Sequence, residues 1–221
     1  MQKEFQFSEQ FSKIKCKDFG KLILTQGDSS SLVIDADEEY LSELVAEVRG
    51  ETLALGFDKD WMGRVGKVIS SFINGSEREV TYHLTVVDLD QISISGKINL
   101  ECDSFQTEKL ALKVSGLGEL NFNHLDCDSL EVDISGRGEL TAAGRADHQT
   151  LRISGSGEVH TPNLASQSVR IAISGQGNAT IRVEDHLDIA ISGVGQVKYY
   201  GSPKLQQVIS GAGSSKRLNA A

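Results

Sequence analysis

Ile134-Ser135-Gly136-Arg137-Gly138-Glu139-Leu140 is the stretch on which the fold turns, because the chain keeps returning to it. An apolar residue followed by Ser-Gly recurs at Ser95, Ser115, Ser135, Ser154, Ser174, Ser192 and Ser210, at intervals of 20, 20, 19, 20, 18 and 18 residues. Self-similarity at a fixed period of this size is the mark of a repeat architecture in which each unit stacks on the next.

Aligning the repeats on the serine shows what each unit buries. One residue before it stand Ile94, Val114, Ile134, Ile153, Ile173, Ile191 and Ile209, and three before stand Ile92, Leu112, Val132, Leu151, Ile171 and Ile189, failing only at Gln207. Five after stand Leu100, Leu120, Leu140, Val159, Ala179 and Val197, and seven after stand Cys102, Phe122, Ala142, Thr161, Ile181 and Tyr199. Apolar columns alternate with polar ones, the period of strands with one face buried. A unit of about 18–20 residues has room for two or three short strands and no helix pair. The pattern therefore predicts an all-β fold, a parallel β-helix or β-solenoid with like residues stacked at ~4.8 Å. Its corners are Ser115-Gly116-x-Gly118, Ser135-Gly136-x-Gly138, Ser154-Gly155-x-Gly157, Ser174-Gly175-x-Gly177, Ser192-Gly193-x-Gly195 and Ser210-Gly211-x-Gly213. There the chain turns sharply, and a side chain would collide or force an unfavourable φ.

The remainder of the chain is read around this array. Residues 1–88 form N-terminal capping strands continuous with the solenoid, residues 89–213 the repeats, and residues 214–221 an unstructured tail. Phe7 to Ile34 alternates like antiparallel strands, with a turn at Gln26-Gly27-Asp28-Ser29-Ser30-Ser31. Asp37-Glu38-Glu39 ahead of Tyr40, Leu41, Leu44 and Val45 suits a short helical turn. Within 58–78, Trp61, Val65, Ile69 and Phe72 share one face of a helical insertion, despite Gly63 and Gly66. That face lies on the protein's own core or covers an open end of the array, with docking to a partner or a membrane as the alternative.

Bulk properties narrow the partners. With 22 Lys and Arg against 31 Asp and Glu, the net charge of -9 repels phosphate backbones, which argues against nucleic acid. No run is long and apolar enough for a membrane span, and Met1-Gln2-Lys3-Glu4-Phe5 lacks the apolar core of a signal peptide. A trimmed or mature chain would have lost one. Cys16, Cys102 and Cys127 show no metal or redox spacing and leave one unpaired in any disulfide scheme. Cys102, in the column of Phe122 and Ile181, reads as a core thiol.

Candidate chemistry is sparse, and no cofactor is indicated. Four residues after the serine stand Asn99, Glu119, Glu139, Glu158, Asn178 and Gln196. Stacked carboxylates repel one another, so Glu119, Glu139 and Glu158 form a candidate cation ladder, with a solvated polar corner as the bland alternative. Lys113, Asp133 and Arg152 share an outward column and can form cross-rung ion pairs. The glycines lack the GK[ST] and GxGxxG spacing of phosphate loops, and no GxSxG elbow surrounds a motif serine. His83, His124, His148, His160 and His186 are scattered, without HExxH.

The Ile-Ser-Gly-x-Gly corners at Ile134 to Leu140 and Ile153 to Val159, the segment Val197 to Pro203 and the entry Phe11-Ser12-Lys13-Ile14 with the Leu22 to Ile34 hairpin resemble the bacterial family called putative auto-transporter adhesin, head GIN domain. The resemblance implies a right-handed single-stranded parallel β-helix capped by N-terminal strands, with no established enzymatic role and no assigned catalytic residues. It also implies an exported or lipid-anchored location, from which this chain departs in lacking a leader or lipobox cysteine near its start. The expected function is a non-catalytic β-solenoid presenting a polar face to a protein or glycan, with its unpaired end as the route to a homo-oligomer. A polysaccharide lyase or hydrolase is the competing reading, with fold analogy as its only warrant. A self-assembling structural component of the envelope is the third.

Overall fold

The structure is a computed structural model that describes residues 1–7, 9–57 and 80–219. It is 74% strand with almost no helix, wound as a β-solenoid of about six turns. The proposed helical face from Trp61 to Phe72 lies outside the described residues.

The rungs follow the sequence period. Strands β9 (Lys97–Val114), β10 (Leu117–Ile134) and β11 (Arg137–Ile153) each run a whole turn, stacked parallel with Leu100, Leu120 and Leu140 in register. Later turns divide in two: β12 (Ser156–Ala165) with β13 (Ser168–Ile173), β14 (Gln176–Arg182) with β15 (His186–Ile191), and β16 (Val194–Tyr200) with β17 (Lys204–Ile209). All pair parallel with the matching half of the preceding turn. The columns predicted to point inward are buried, including Leu100, Leu120, Leu140, Val159, Ala179 and Val197. Each rung thus covers its neighbour's apolar face, so the array is stabilised as a stack and not unit by unit.

The corners explain the glycines by contact. A Cβ at Gly136 would lie 2.2 Å from the Gly116 carbonyl oxygen and 2.4 Å from that of Ser115, and Gly116, Gly155, Gly175, Gly193 and Gly211 meet the corner beneath them in the same way. The second glycine has softer neighbours at Gly118, Gly138 and Gly157, as at Gly138, where the nearest atom is Ile134 Cγ2 at 3.1 Å, whereas Gly195 meets the Gly177 carbonyl oxygen at 2.0 Å. None of these corner glycines has a positive φ, so the expected backbone strain is absent and steric stacking alone demands glycine.

The N-terminal region corrects several expectations. Strand β2 (Lys13–Cys16) pairs parallel with both β8 (Gln91–Ile94) and β6 (Thr52–Phe57), and β3 (Phe19–Gln26) pairs parallel with β9 and β7 (Thr81–Val86). The first rung in the chain is therefore an internal layer of the stack. There is no Leu22–Ile34 hairpin, because β7 lies between β3 and β4 (Ser31–Asp35). Among the described residues, antiparallel pairing is confined to β4 with β7 and with β1 (Gln2–Gln6), and to β5 (Leu44–Arg49) with β6. The helical turn is α1 (Glu38–Leu41); Leu44 and Val45 belong to β5, where pairing with β6 outweighs a weak i, i+4 pattern.

Lys17-Asp18 takes the place of Ser-Gly in this early rung. Ser95 N–H donates to the Cys16 carbonyl at 2.9 Å and Lys97 N–H to that of Asp18 at 2.7 Å, the pattern of the later corners from Ser115 to Ser192. A side chain is tolerated at Asp18 because Gly56 lies beside it and the Phe57 amide donates to its carboxylate. Burial raises the Asp18 carboxyl above its usual range, with that amide and Lys17 opposing.

At the other end the expected tail is shorter. Strand β18 (Ala212–Arg217) pairs in register with β16, because backbone hydrogen bonding to a preformed rung needs no apolar side chains. Here the inward columns turn polar: Gln207 follows Ile189 and Ser215 follows Val197, and Ser215 Oγ donates to Gln207 Oε1 at 2.5 Å. Val208, on the outer face of β17, is 72% exposed.

Candidate functional site

Three sets of side chains could carry function, and the structure separates them. Glu119, Glu139 and Glu158 stack in adjacent register and are all exposed. Among the described residues, however, no group of three His, Cys, Asp or Glu side chains converges to hold a metal ion. The cysteines are interior: Cys16, Cys102 and Cys127 are free and buried, and burial pushes their thiols up to about 12, 11 and 12 respectively. Such thiols are inert as nucleophiles at neutral pH. The five histidines are exposed and dispersed, and His148 Nδ1 lies 2.8 Å from Ser168 Oγ.

The third set forms a groove on an outer sheet face, beside the serine corner. It is lined by Lys15, Lys17, Thr52, Gln91, Ser93 and Ser95, and by Lys113, Ser115, Asp133 and Ser135, over a floor of Ile14, Ile94 and Val114. Strand alternation places these groups: Ile14 and Cys16 point inward, so Lys15 points out, and Ile92 with Ile94 does the same for Ser93. Pairing then aligns Lys15 with Ser93, Ser93 with Lys113, and Lys113 with Asp133.

The charges of the groove are unequally satisfied. At one margin Lys13 Nζ lies 2.7 Å from Glu51, whose hydrogen bond and charge raise the lysine's proton affinity. At the other, Arg152 binds Glu131 and lies 3.3 Å from Asp133, and these contacts stabilise its cation. This is the expected cross-rung pair, shared with Glu131. Between the margins, Lys15, Lys17 and Lys113 make no ion pair among the described residues. The corner serines donate inward, Ser95 Oγ to the Cys16 carbonyl and Ser115 Oγ to that of Ile94, each at 3.3 Å, and Ser135 Oγ to that of Val114 at 3.5 Å. Their oxygen lone pairs are left to accept from outside. The groove provides one carboxylate, Asp133, and not the pair that glycoside hydrolysis ordinarily uses.

The family model for putative auto-transporter adhesin, head GIN domain, matches residues 10–203. The chain belongs to this family. A putative adhesin from Bacteroides fragilis has a similar structure, with a TM-score of 0.83 and 24% identity over 99% of this chain and 96% of that one. A putative adhesin from Parabacteroides merdae aligns at a TM-score of 0.69 and 20% identity, again over 99% and 96% of the two chains. A putative lipid binding protein from Parabacteroides distasonis has a TM-score of 0.69 and 19% identity over the same shares. At these identities the likeness is one of fold. No curated protein matches this head GIN domain chain.

Sequence reasoning placed Lys113 and Asp133 on the outer face but missed Lys15 and Lys17. The available signal was Ile14-Lys15-Cys16, which alternates as Ile92-Ser93-Ile94 does, two residues before a corner without Ser-Gly.

Proposed function

We propose that the chain is a non-catalytic adhesion module that engages a protein or glycan on the outer face of its solenoid and works at the cell envelope. The observation that carries this reading is the placement of the groove. It lies on the outward columns of stacked strands, which packing leaves free to vary, and its lysines serve no ion pair within the described fold. Family membership supports an adhesion-type role. No helix among the described residues is long and apolar enough to cross a membrane.

Incubating labelled protein on glycan and protein arrays tests the reading. The expected result is saturable retention on a defined ligand class, weakened by outer-face substitutions such as Lys113→Ala and unchanged by the inward Ala142→Ser. Retention that ignores every outer-face substitution would sink it. Self-association is a second reading, favoured by one observation: among the described residues β17 pairs only with β15 and β18 only with β16, leaving open edges at the end of the stack.

A further inference from the structure

The geometry points to an acidic polysaccharide, a polymer of sugars bearing carboxylate groups, as the ligand of the groove formed by β2, β8 and the ends of β9 and β10. This deepens the adhesion reading and rests on it. The first support is charge. In a protein of net charge -9, Lys15, Lys17 and Lys113 are gathered on one face, while the neighbouring carboxylates of Glu51, Glu131 and Asp133 are taken up by Lys13 and Arg152. Asp18, next to Lys17, directs its carboxylate at the Phe57 amide. The local field therefore attracts anions although the global one repels them.

The second support is spacing. Lys15 and Lys113 occupy one column with Ser93 between them, two strand steps apart, which is about 10 Å along the stack. A linear polymer lying across the strands meets two ammonium groups separated by that interval, on the scale of the charge spacing along an extended acidic chain, before it reaches Asp133, which Arg152 engages.

The third support is the lining between the charges, which separates a sugar from a peptide. Ser95, Ser115 and Ser135 have their protons committed to backbone carbonyls, and Ser93 Oγ accepts from Gln91 Nε2 at 3.0 Å. Ser95, Ser115 and Ser135 thus present hydroxyl oxygens that accept from sugar hydroxyls, while Ser93 keeps its proton to donate to a sugar oxygen or carboxylate. The apolar lining residues Ile14, Ile94 and Val114 turn their side chains inward and are buried, so they offer an acidic peptide no apolar side chain to pack against.

Calorimetric titration of the full chain with polygalacturonate, neutral dextran and poly-glutamate tests the inference, at low and at physiological salt. Polygalacturonate is expected to bind, more weakly as salt rises, and dextran and poly-glutamate to bind less well. Lys15→Gln with Lys113→Gln is expected to lower the polygalacturonate affinity about tenfold and flatten its salt dependence, the sum of two exposed charge contacts. Lys216→Gln, remote on β18, is expected to change neither. Thermal melts identical to wild type establish that the variants are folded. Preference for poly-glutamate, no binding of polygalacturonate, or an affinity indifferent to the double substitution would overturn the inference. Ligands captured elsewhere on the arrays would still leave the adhesion reading standing, whereas conversion of a ligand would remove that reading itself.

Discussion

Replacing Gly136 and Gly138 separately by alanine distinguishes two kinds of glycine that look alike in sequence. A Cβ at residue 136 would meet backbone atoms of the corner beneath at 2.2, 2.4 and 2.6 Å. Those atoms must retreat by about 1 Å to reach contact distance. The hydrogen bonds on either side, Ser135 N–H to the Val114 carbonyl and Arg137 N–H to the Gly116 carbonyl, are each 2.9 Å and cannot stretch that far intact. Losing two backbone hydrogen bonds at about 1 kcal/mol each, with about 2 kcal/mol of overpacking, is offset by about 1 kcal/mol from restricting the unfolded chain. The net destabilisation is about 3 kcal/mol, or roughly 6–12 °C in Tm for a chain of this size. At residue 138 the neighbours are Ile134 side-chain atoms at 3.1 to 3.4 Å, which can rotate away, so Gly138→Ala costs less than about 1 kcal/mol. Urea denaturation with matched m-values measures both. Equal destabilisation, or a milder effect at 136, would refute the claim that backbone contact between stacked corners selects the first glycine.

Other substitutions probe the interior and the ends. Thr161 is fully buried in an otherwise mostly apolar column, and its hydroxyl has no hydrogen-bond partner, so Thr161→Val is expected to stabilise the fold by about 1 kcal/mol and raise Tm by about 2–4 °C. Gln207→Leu removes the hydrogen bond from Ser215 and extends an apolar column to the open end, and a larger light-scattering mass than wild type at equal concentration is expected. The cysteines make stability fall at high pH: thiols of ordinary value near 9.0 ionise first in the unfolded chain, while Cys16 and Cys127 stay protonated in the fold up to about 12. The unfolded state then holds fewer protons, so their contribution is complete below about pH 9 and is lost as pH climbs towards 12. Denaturation midpoints across that window check this, with Cys16→Ser and Cys127→Ser flattening the fall.

Much of the fold was legible because a stacked rung repeats its constraints. Ile134 and Leu140 must fill the same interior as Val114 and Leu120, so alignment of the chain on itself revealed which residues point inward. The same logic failed where rungs stack out of chain order. Lys17-Asp18 forms a corner without glycine because Gly56 and the Phe57 amide accommodate Asp18, and that compensation lies in a segment far along the chain. β7 comes between β3 and β4 for the same reason, since its place is fixed by pairing partners and not by a turn signal. The groove was hidden in consequence: Lys15 and Lys113 share a column, on either side of Ser93, only once β2 is known to lie against β8. The glutamate ladder was legible as a register, and Glu119, Glu139 and Glu158 stack without converging among the described residues.

A purely adhesive outer face on this head GIN domain would bind its ligand without transforming it. Incubating the full chain with the glycan or protein that the arrays identify, and comparing moles of complex with moles of altered ligand, tests it most directly. The account predicts a saturable complex from which the ligand is recovered at its original length and composition. Altered ligand accumulating beyond the moles of protein present would contradict it.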